Sequence, residues 1–224
     1  MSASLIPILW EATLQTIYMV VVSGLIGTVL GLPLGVFLAT SKRGELLSAP
    51  VTNSALGLVV NALRSIPFII LVVAIIPFTR MIAGTSIGTT AAIVPLTLAA
   101  APFIARIVET AIREVEGGLI EAARAMGATP GQIITKVLLP EALPGIVLGL
   151  TLAIVSLIGY SAMVGAVGGE GLGDLGIRYG YQRFMPDVML AVVVILIVLV
   201  QAVQSFGEWI ARRLDHRAAK DRGL

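Results

Sequence analysis

Cysteine is absent from this 224-residue chain, and charged residues make up only 12% of it. Without cysteine the chain has no disulfide framework, thiol nucleophile or cysteine metal site. A water-soluble domain usually carries about 25% charged residues, so the shortage of charge indicates a non-aqueous surrounding. The single histidine, His216, lies in a charged C-terminal segment. That setting is typical of a solvated side chain and not of a metal ligand.

The chemistry of catalysis and energy supply is also missing. The chain has no Gly-Lys dipeptide, and hence no phosphate-binding loop of the form G-x-x-x-x-G-K-[ST] with which to use ATP itself. No Asp or Glu lies deep within an apolar run, whereas ion-coupled carriers commonly keep a carboxylate there. No catalytic set such as paired buried carboxylates can be recognised. The sequence therefore predicts neither an enzyme nor a self-powered pump, and no metal or cofactor bound by this chain.

Long apolar runs are what the chain has instead, and 57% of its residues are hydrophobic. A helix needs about 20 apolar residues to cross the hydrocarbon core of a membrane. Backbone groups in lipid must be paired within the segment, which favours helices over open strands. Five stretches qualify, at residues 13–39, 55–78, 87–105, 143–167 and 188–210. The predicted fold class is an all-α polytopic membrane protein with five transmembrane helices.

Lys and Arg are distributed unevenly between the predicted loops. Of the 15, eleven follow the first, third or fifth span, three lie in the other loops, and Arg64 is assigned to neither side. Because positively charged loops stay in the cytoplasm, the N-terminus is predicted outside and the basic tail 211–224 in the cytoplasm. The net charge of +2 is small and the basic residues cluster at membrane edges, so no nucleic-acid partner is predicted.

Two stretches are rich in glycine. In the first span Gly24, Gly27, Gly31 and Gly35 recur at three- and four-residue spacing, which lets membrane helices approach closely. The sequence leaves open whether this approach occurs within one chain or between two copies. Residues 165–176 contain six glycines and are interpreted as a flexible outer loop.

A polar segment at residues 106–141 separates the third and fourth spans. Its pattern predicts one short helix over 119–128, ended by Gly127 and a following proline, and a second over 130–138. The first helix contains Glu-Ala-Ala at 121–123, then three residues, then Gly127; nine residues later come an apolar residue, any residue, and Leu139-Pro140. This spacing is the most specific signal in the chain.

The residue types in this segment suit docking onto a partner protein. Ala122 and Ala123 give a thin helix that can enter a groove, and Met126 offers a flexible apolar contact. Glu121 and Arg124 can make charged contacts at the rim, which tune specificity more than affinity. For Glu-Ala-Ala alone, a surface helix without a partner is the simpler interpretation, and the Gly127 and Leu139-Pro140 offsets are what favour docking.

The spacing closely resembles the EAA loop of type I ABC-importer permeases, which docks onto a separate ATPase. Other segments are similar to the methionine-importer permease family: RSIPFIIL at 64–71, IPFTR at 76–80, GTSIG at 84–88, AIVPLT at 92–97, APFIAR at 101–106, AMGATP at 125–130 and GYSAM at 159–163. The resemblance covers about residues 13–206, the predicted permease domain, with its coupling loop at about 117–140. Val137 departs conservatively from the class pattern, which usually has Ile.

The resemblance implies a homodimer of five-helix subunits in the bacterial cytoplasmic membrane. It implies two ABC ATPase subunits on the inner side and an extracytoplasmic methionine-binding lipoprotein on the other, with lipid around. The implied substrates are L- and D-methionine, and ATP and Mg²⁺ belong to the ATPase. The implied docking residues are Glu121, Ala122, Ala123, Arg124, Met126, Gly127, Leu139 and Pro140.

Two groups of residues are predicted for the pathway. Tyr160, Ser161 and Met163 of the fourth span offer a ring edge, a hydroxyl and a thioether that a methionine side chain could pass; packed core is the alternative for Tyr160 and Met163. Arg64 either reaches the cytoplasmic boundary or faces the protein interior and helps hold a gate. Pro67 nearby predicts an irregular helix.

Two other functions fit the same sequence. One is an importer permease for another solute, such as a different amino acid or a quaternary amine, because the docking loop does not specify the substrate. The other is a membrane assembly subunit that transports nothing.

Overall fold

The computed structural model describes residues 5–214, and these form ten α-helices and no strand. The bounds are α1 Leu5–Thr40, α2 Pro50–Ser65, α3 Phe68–Ala74, α4 Ile76–Ala83, α5 Thr89–Arg113, α6 Gly117–Ala125, α7 Pro130–Ile133, α8 Leu139–Gly165, α9 Gly171–Leu175 and α10 Pro186–Leu214. Two π-helical segments, Ile134–Leu138 and Gly176–Gln182, precede α8 and follow α9. Of the predicted basic tail, residues 211–214 belong to α10, and 215–224 lie outside the described residues.

Four unbroken helices are long and apolar enough to cross a membrane: α1, α5, α10 and the continuous stretch Pro130–Gly165 that contains α8. The pair α2 and α3, bent by 101° at the break between them, is together long and apolar enough to count as a fifth. The five-helix fold class is therefore confirmed, with one crossing broken.

The second predicted span, 55–78, is not one helix but parts of α2, α3 and α4. Ile66 has an extended backbone, with φ −80° and ψ 125°, and Pro67 caps α3. Proline lacks an N–H and restricts the residue before it to extended conformations, so α2 must end there. The irregularity predicted from Pro67 is thus a sharp bend.

The third span is longer than predicted. The helix expected over 87–105 continues to Arg113, so Arg106 and Arg113, expected in a loop, lie on its last turns. These turns bury Val108, Ala111 and Ile112, which gives them an apolar face against the protein. The polar loop is correspondingly shorter than 106–141.

The glycines of α1 mediate a contact within the chain, which settles the question left open by the sequence. A Cβ at Gly31 would lie 2.6 Å from the carbonyl oxygen of Ala101, and one at Gly35 would lie 2.5 Å from that of Ala105. Only glycine permits so close an approach of α1 to α5. The stripe therefore packs two spans of the same subunit together.

The glycine-rich stretch at 165–176 is packed, and its interpretation as a flexible loop is wrong. Leu172 and Leu175 of α9 are only 0% and 2% exposed. The N–H of Gly171 donates to Gln15 Oε1 at 3.0 Å, and that of Leu172 donates to Thr16 Oγ1 at 2.9 Å. These bonds satisfy the first N–H groups of α9 with side chains of α1.

Candidate functional site

The predicted docking helix is α6, which ends at Ala125 and not at residue 128. Its end is a Schellman motif: the N–H of Gly127 donates to the Arg124 carbonyl at 2.9 Å, and that of Ala128 donates to the Ala123 carbonyl at 3.1 Å. Gly127 has φ +78°, the left-handed conformation that this motif requires and that glycine adopts without strain. The glycine of the motif is thus explained by local backbone geometry.

A second cap follows at once. Thr129 and Gln132 form a capping box, in which the Thr129 side chain accepts from the Gln132 N–H and the Gln132 side chain accepts from the Thr129 N–H. Pro130 stands in the first turn of α7, where its missing N–H costs nothing. The helix predicted over 130–138 is α7 plus the π-helical segment, and it continues without a break into α8. The turn between α6 and α7 is therefore fixed on both sides.

The docking helix presents one buried face and one free face. Ala123 is 3% exposed and belongs to the core that contains Ile112 of α5, Val115 just after it, and Ile133 and Leu138 before α8. The residues Glu121, Ala122, Arg124, Met126 and Gly127 are exposed, with Met126 at 81%. The exposed face is a candidate contact surface, and the buried face joins the core beside the segment Ile134–Leu138 that leads into α8.

Leu139 and Pro140 do not belong to the exposed face of α6. They open α8, where Leu139 packs against the core and Pro140 stands in the first turn. Their place in the motif is therefore that of an anchor between the loop and the fourth span.

A buried charge network that we did not predict lies at the end of α5. Glu109, 3% exposed, forms ion pairs with Arg106 and Arg113. Arg106 also donates to the Gly57 carbonyl at 3.0 Å, and Arg113 to the Leu38 carbonyl at 3.3 Å. The network therefore joins α5 to α1 and α2. Its sequence signal is the spacing Arg-x-x-Glu-x-x-x-Arg, which places all three side chains on one helix face.

The pathway candidates of the fourth span fall into different environments. Tyr160 stacks on Phe68 of α3, with ring centroids 4.5 Å apart. Ser161 is buried and its hydroxyl donates to the Ile158 carbonyl at 2.7 Å, whereas Met163 is 47% exposed. Tyr160 and Phe68 therefore tie α8 to the bend, and Met163 offers the accessible side chain of the three. Their role in a pathway stays a prediction.

The other two candidates lie at the bend itself. Pro67 begins α3, and Arg64 lies in the last turn of α2. The Arg64 side chain is exposed, and its guanidinium lies 5.7 Å from the ring centroid of Phe103 on α5. This is a cation–π contact, and it directs Arg64 toward the protein.

Residues 31–218 match the family described as "Binding-protein-dependent transport system inner membrane component". The match covers well over half of the chain, which therefore belongs to this family of membrane transport components.

Named relatives agree with the family. The chain is 58% identical over 210 residues to the "Probable D-methionine transport system permease protein MetI" of Vibrio cholerae serotype O1, covering 94% of this chain and 93% of the relative. It is 55% identical over 162 residues to the "D-methionine transport system permease protein MetI" of Escherichia coli K12, covering 71% of this chain and 75% of the relative.

Solved structures agree as well. A chain of the MetNI methionine ABC transporter, in an inward-facing conformation, matches with a TM-score of 0.94 and 51% identity, over 96% of this chain and all of that one. An amino acid ABC transporter crystallised with histidines matches with a TM-score of 0.75 and 20% identity, over 92% of this chain and 94% of that one. The second match shows a shared fold alone.

Proposed function

We propose that this chain is the permease subunit of an ATP-driven importer that carries L- and D-methionine across the bacterial cytoplasmic membrane. The observation that carries the proposal is the docking loop, in which α6 has one exposed face, one face buried in the core, and an end fixed by a turn that is capped on both sides. The methionine substrate is supported by the names of the relatives that match nearly the whole chain.

The docking loop suits the transmission of force. A partner that moves α6 pushes on the core that contains Ala123, and α6 contacts the segment Ile134–Leu138 that leads into α8. Because packed cores shift between discrete arrangements and do not deform continuously, movement of α6 is passed to the fourth span. ATP and Mg²⁺ act on the partner ATPase, and this chain supplies the lever and the pathway.

The complete transporter is proposed to contain two copies of this chain, two ABC ATPase subunits and an extracytoplasmic methionine-binding lipoprotein. The N-terminus faces outward and the C-terminus faces the cytoplasm. The charge bias of the loops supports this orientation, because it puts α6 on the side where ATP is.

The test is methionine uptake into proteoliposomes that contain this chain, its cognate ATPase and the binding protein. The test variant is Gly127→Asp, and Gly118→Asp is the matched control. Both glycines have open space where a Cβ would stand, but only Gly127 has a positive φ. We expect ATP-dependent methionine uptake by the wild type and the control, and none by Gly127→Asp, although all three insert equally.

Two results would contradict parts of the proposal. If the wild-type complex binds the ATPase but moves another solute and not methionine, the substrate is wrong and the importer stands. If no ATPase associates with the chain, the docking function is wrong.

A further inference from the structure

Helix α2 has two different faces. One carries exposed apolar residues at helical spacing: Val51, Ala55, Leu58, Val59 and Ala62. The opposite face carries Asn53, Gly57, Val60 and Arg64, which are three or four residues apart. Residues at these spacings lie on one side of a helix, so Arg64 shares the side of the buried Asn53 and Val60 and not the apolar side.

The second face of α2 is in contact with the rest of the chain along its length. The Asn53 amide donates to the Leu38 carbonyl at 2.8 Å and to the Ser41 hydroxyl at 2.9 Å. One turn on, the Gly57 carbonyl accepts from Arg106. Arg64 comes last, over the Phe103 ring of α5. Arg64 therefore faces the protein and yet stays exposed, so it borders space that its own chain leaves open.

This position is deep in the membrane. Phe103 precedes Ile104, which lies against Gly31 of α1. Gly31 is ten residues before Ser41, at the polar cytoplasmic end of α1, and this places it about 15 Å inside that end at 1.5 Å per residue. The hydrocarbon core is about 30 Å thick. The guanidinium of Arg64 thus sits near mid-depth, too far inside for the boundary role that the sequence left open.

A charge at this depth needs an anion or water. No ion pair joins Arg64 to a carboxylate among residues 5–214, whereas Arg106 and Arg113 share Glu109. Charged side chains at membrane depth face a protein interior or a water-filled cavity and mark substrate pathways. Arg64 meets this description, with its position fixed by the bend at Ile66–Pro67.

We propose that Arg64 binds the carboxylate of the amino-acid substrate as it passes through the membrane. The guanidinium fork matches a carboxylate and can hold it by two parallel hydrogen bonds. The half-buried Tyr160 ring, which stacks on the buried Phe68 ring beyond the same bend, offers an apolar surface for the substrate side chain. This inference rests on the proposed function, since it takes the solute to be an amino acid.

The absence of cysteine from the chain allows a test by charge replacement. Arg64→Cys is assembled with the ATPase and binding protein, and separate samples are treated with methanethiosulfonate reagents that attach an ethylammonium, an ethylsulfonate or a neutral methyl group. Arg80→Cys is the matched control, because Arg80 is an exposed cation bonded to Ser86 outside the bend. The wild-type complex receives the same reagents, which reports their effect on the other subunits.

We expect methionine uptake by Arg64→Cys to fall about tenfold or more, the loss typical of one hydrogen-bonded charge contact. The ethylammonium group should restore much of the uptake, and the sulfonate and methyl groups should not. ATP hydrolysis stimulated by loaded binding protein should stay near the wild-type rate, because α6 is unaltered. Arg80→Cys should import like the wild type throughout.

Two results overturn the assignment: normal uptake by untreated Arg64→Cys, or equal rescue by the neutral and the cationic group. If the wild-type complex imports methionine, either of these results leaves the proposed function intact. A wild-type complex that imports no methionine overturns the proposed function itself.

Discussion

Glycine serves two separate purposes in this chain, and each can be tested by a single methyl group. At Gly35 the constraint is space, because a Cβ would lie 2.5 Å from the Ala105 carbonyl oxygen and 2.6 Å from Val108 Cβ. Gly35→Ala should therefore destabilise the α1–α5 contact by about 2 kcal/mol, as overpacking does. Gly24→Ala is the control, since its Cβ would meet Leu157 at an ordinary 3.6 Å.

The measurement is the temperature at which each purified variant in detergent loses its monodisperse peak in size-exclusion chromatography. The Gly35 variant should lose it at a lower temperature than the wild type, and the Gly24 variant at the same temperature. Equal behaviour of the two variants would mean that the helices separate enough to admit a methyl group.

At Gly127 the constraint is backbone conformation and not space, because nothing lies within 4 Å of where its Cβ would be. Gly127→Ala should cost about 1–2 kcal/mol of strain in the left-handed conformation. The docking helix should then lose its fixed end, and the chain should retain about tenfold less ATPase in co-purification. Gly118→Ala replaces a glycine of the same helix that has no positive φ, and this variant should bind the ATPase normally. Wild-type binding by Gly127→Ala would show that the Schellman turn is not needed for docking.

Local residue patterns predicted the stop beside Gly127, but not the observed bounds Gly117–Ala125 of α6 or which of its sides is free. Gly127 and Pro130 gave the stop because their backbone restrictions act locally. Ala123 is buried in a core that also contains Val115 and Leu138. The sequence does not show that these residues share one core. The same holds for Tyr160, whose stacking on Phe68 joins residues far apart in the chain.

At the scale of helices, the network around Glu109 holds α1, α2 and α5 together. Removing its one carboxylate leaves the guanidinium groups of Arg106 and Arg113 without an anion. Breaking a buried ion pair in this way costs about 3–5 kcal/mol. Glu109→Gln should therefore lower the thermal stability of the purified chain strongly.

Glu208→Gln is the control for this experiment. Glu208 pairs with Arg212 at 3.6 Å on the same type of i, i+4 spacing, but both side chains are well exposed, and such pairs contribute about 0–1 kcal/mol. In the same chromatographic assay, the control should lose its monodisperse peak at the same temperature as the wild type. Similar melting of both variants would mean that water reaches Glu109 and compensates the lost charge.

Helix lengths could be predicted only where apolar character and helix formation end together. The helix α5 continues past Ala105 because the charges of Arg106 and Glu109 pair with each other. A hydropathy profile counts both residues as charged and therefore ends the predicted span before them. The bend after α2 was predicted as an irregularity from Pro67, but its 101° angle depends on packing against α5 and α8. The π-helical segments carry no sequence signal that we recognise.

For the whole molecule, hydropathy and loop charge predicted the number of crossings because each depends on local composition. They say nothing about which crossings touch. The glycine stripe of α1 came closest, since it predicted a tight helix contact, but the partner could be either another span of the same chain or a second copy. The close approach of Gly31 and Gly35 to α5 in the structure decided that the contact lies within one chain.

The orientation of the whole molecule can be tested with single cysteines, because the native chain has none. Lys42 follows α1 and Thr85 precedes α5, and both are exposed. In intact spheroplasts a membrane-impermeant maleimide should label Thr85→Cys and leave Lys42→Cys unlabelled; after permeabilisation it should label both. The physical reason is that the positively charged loops stay in the cytoplasm. Labelling of Lys42→Cys from outside would place α6 outside as well, away from any ATPase, and the docking function would fall with the orientation.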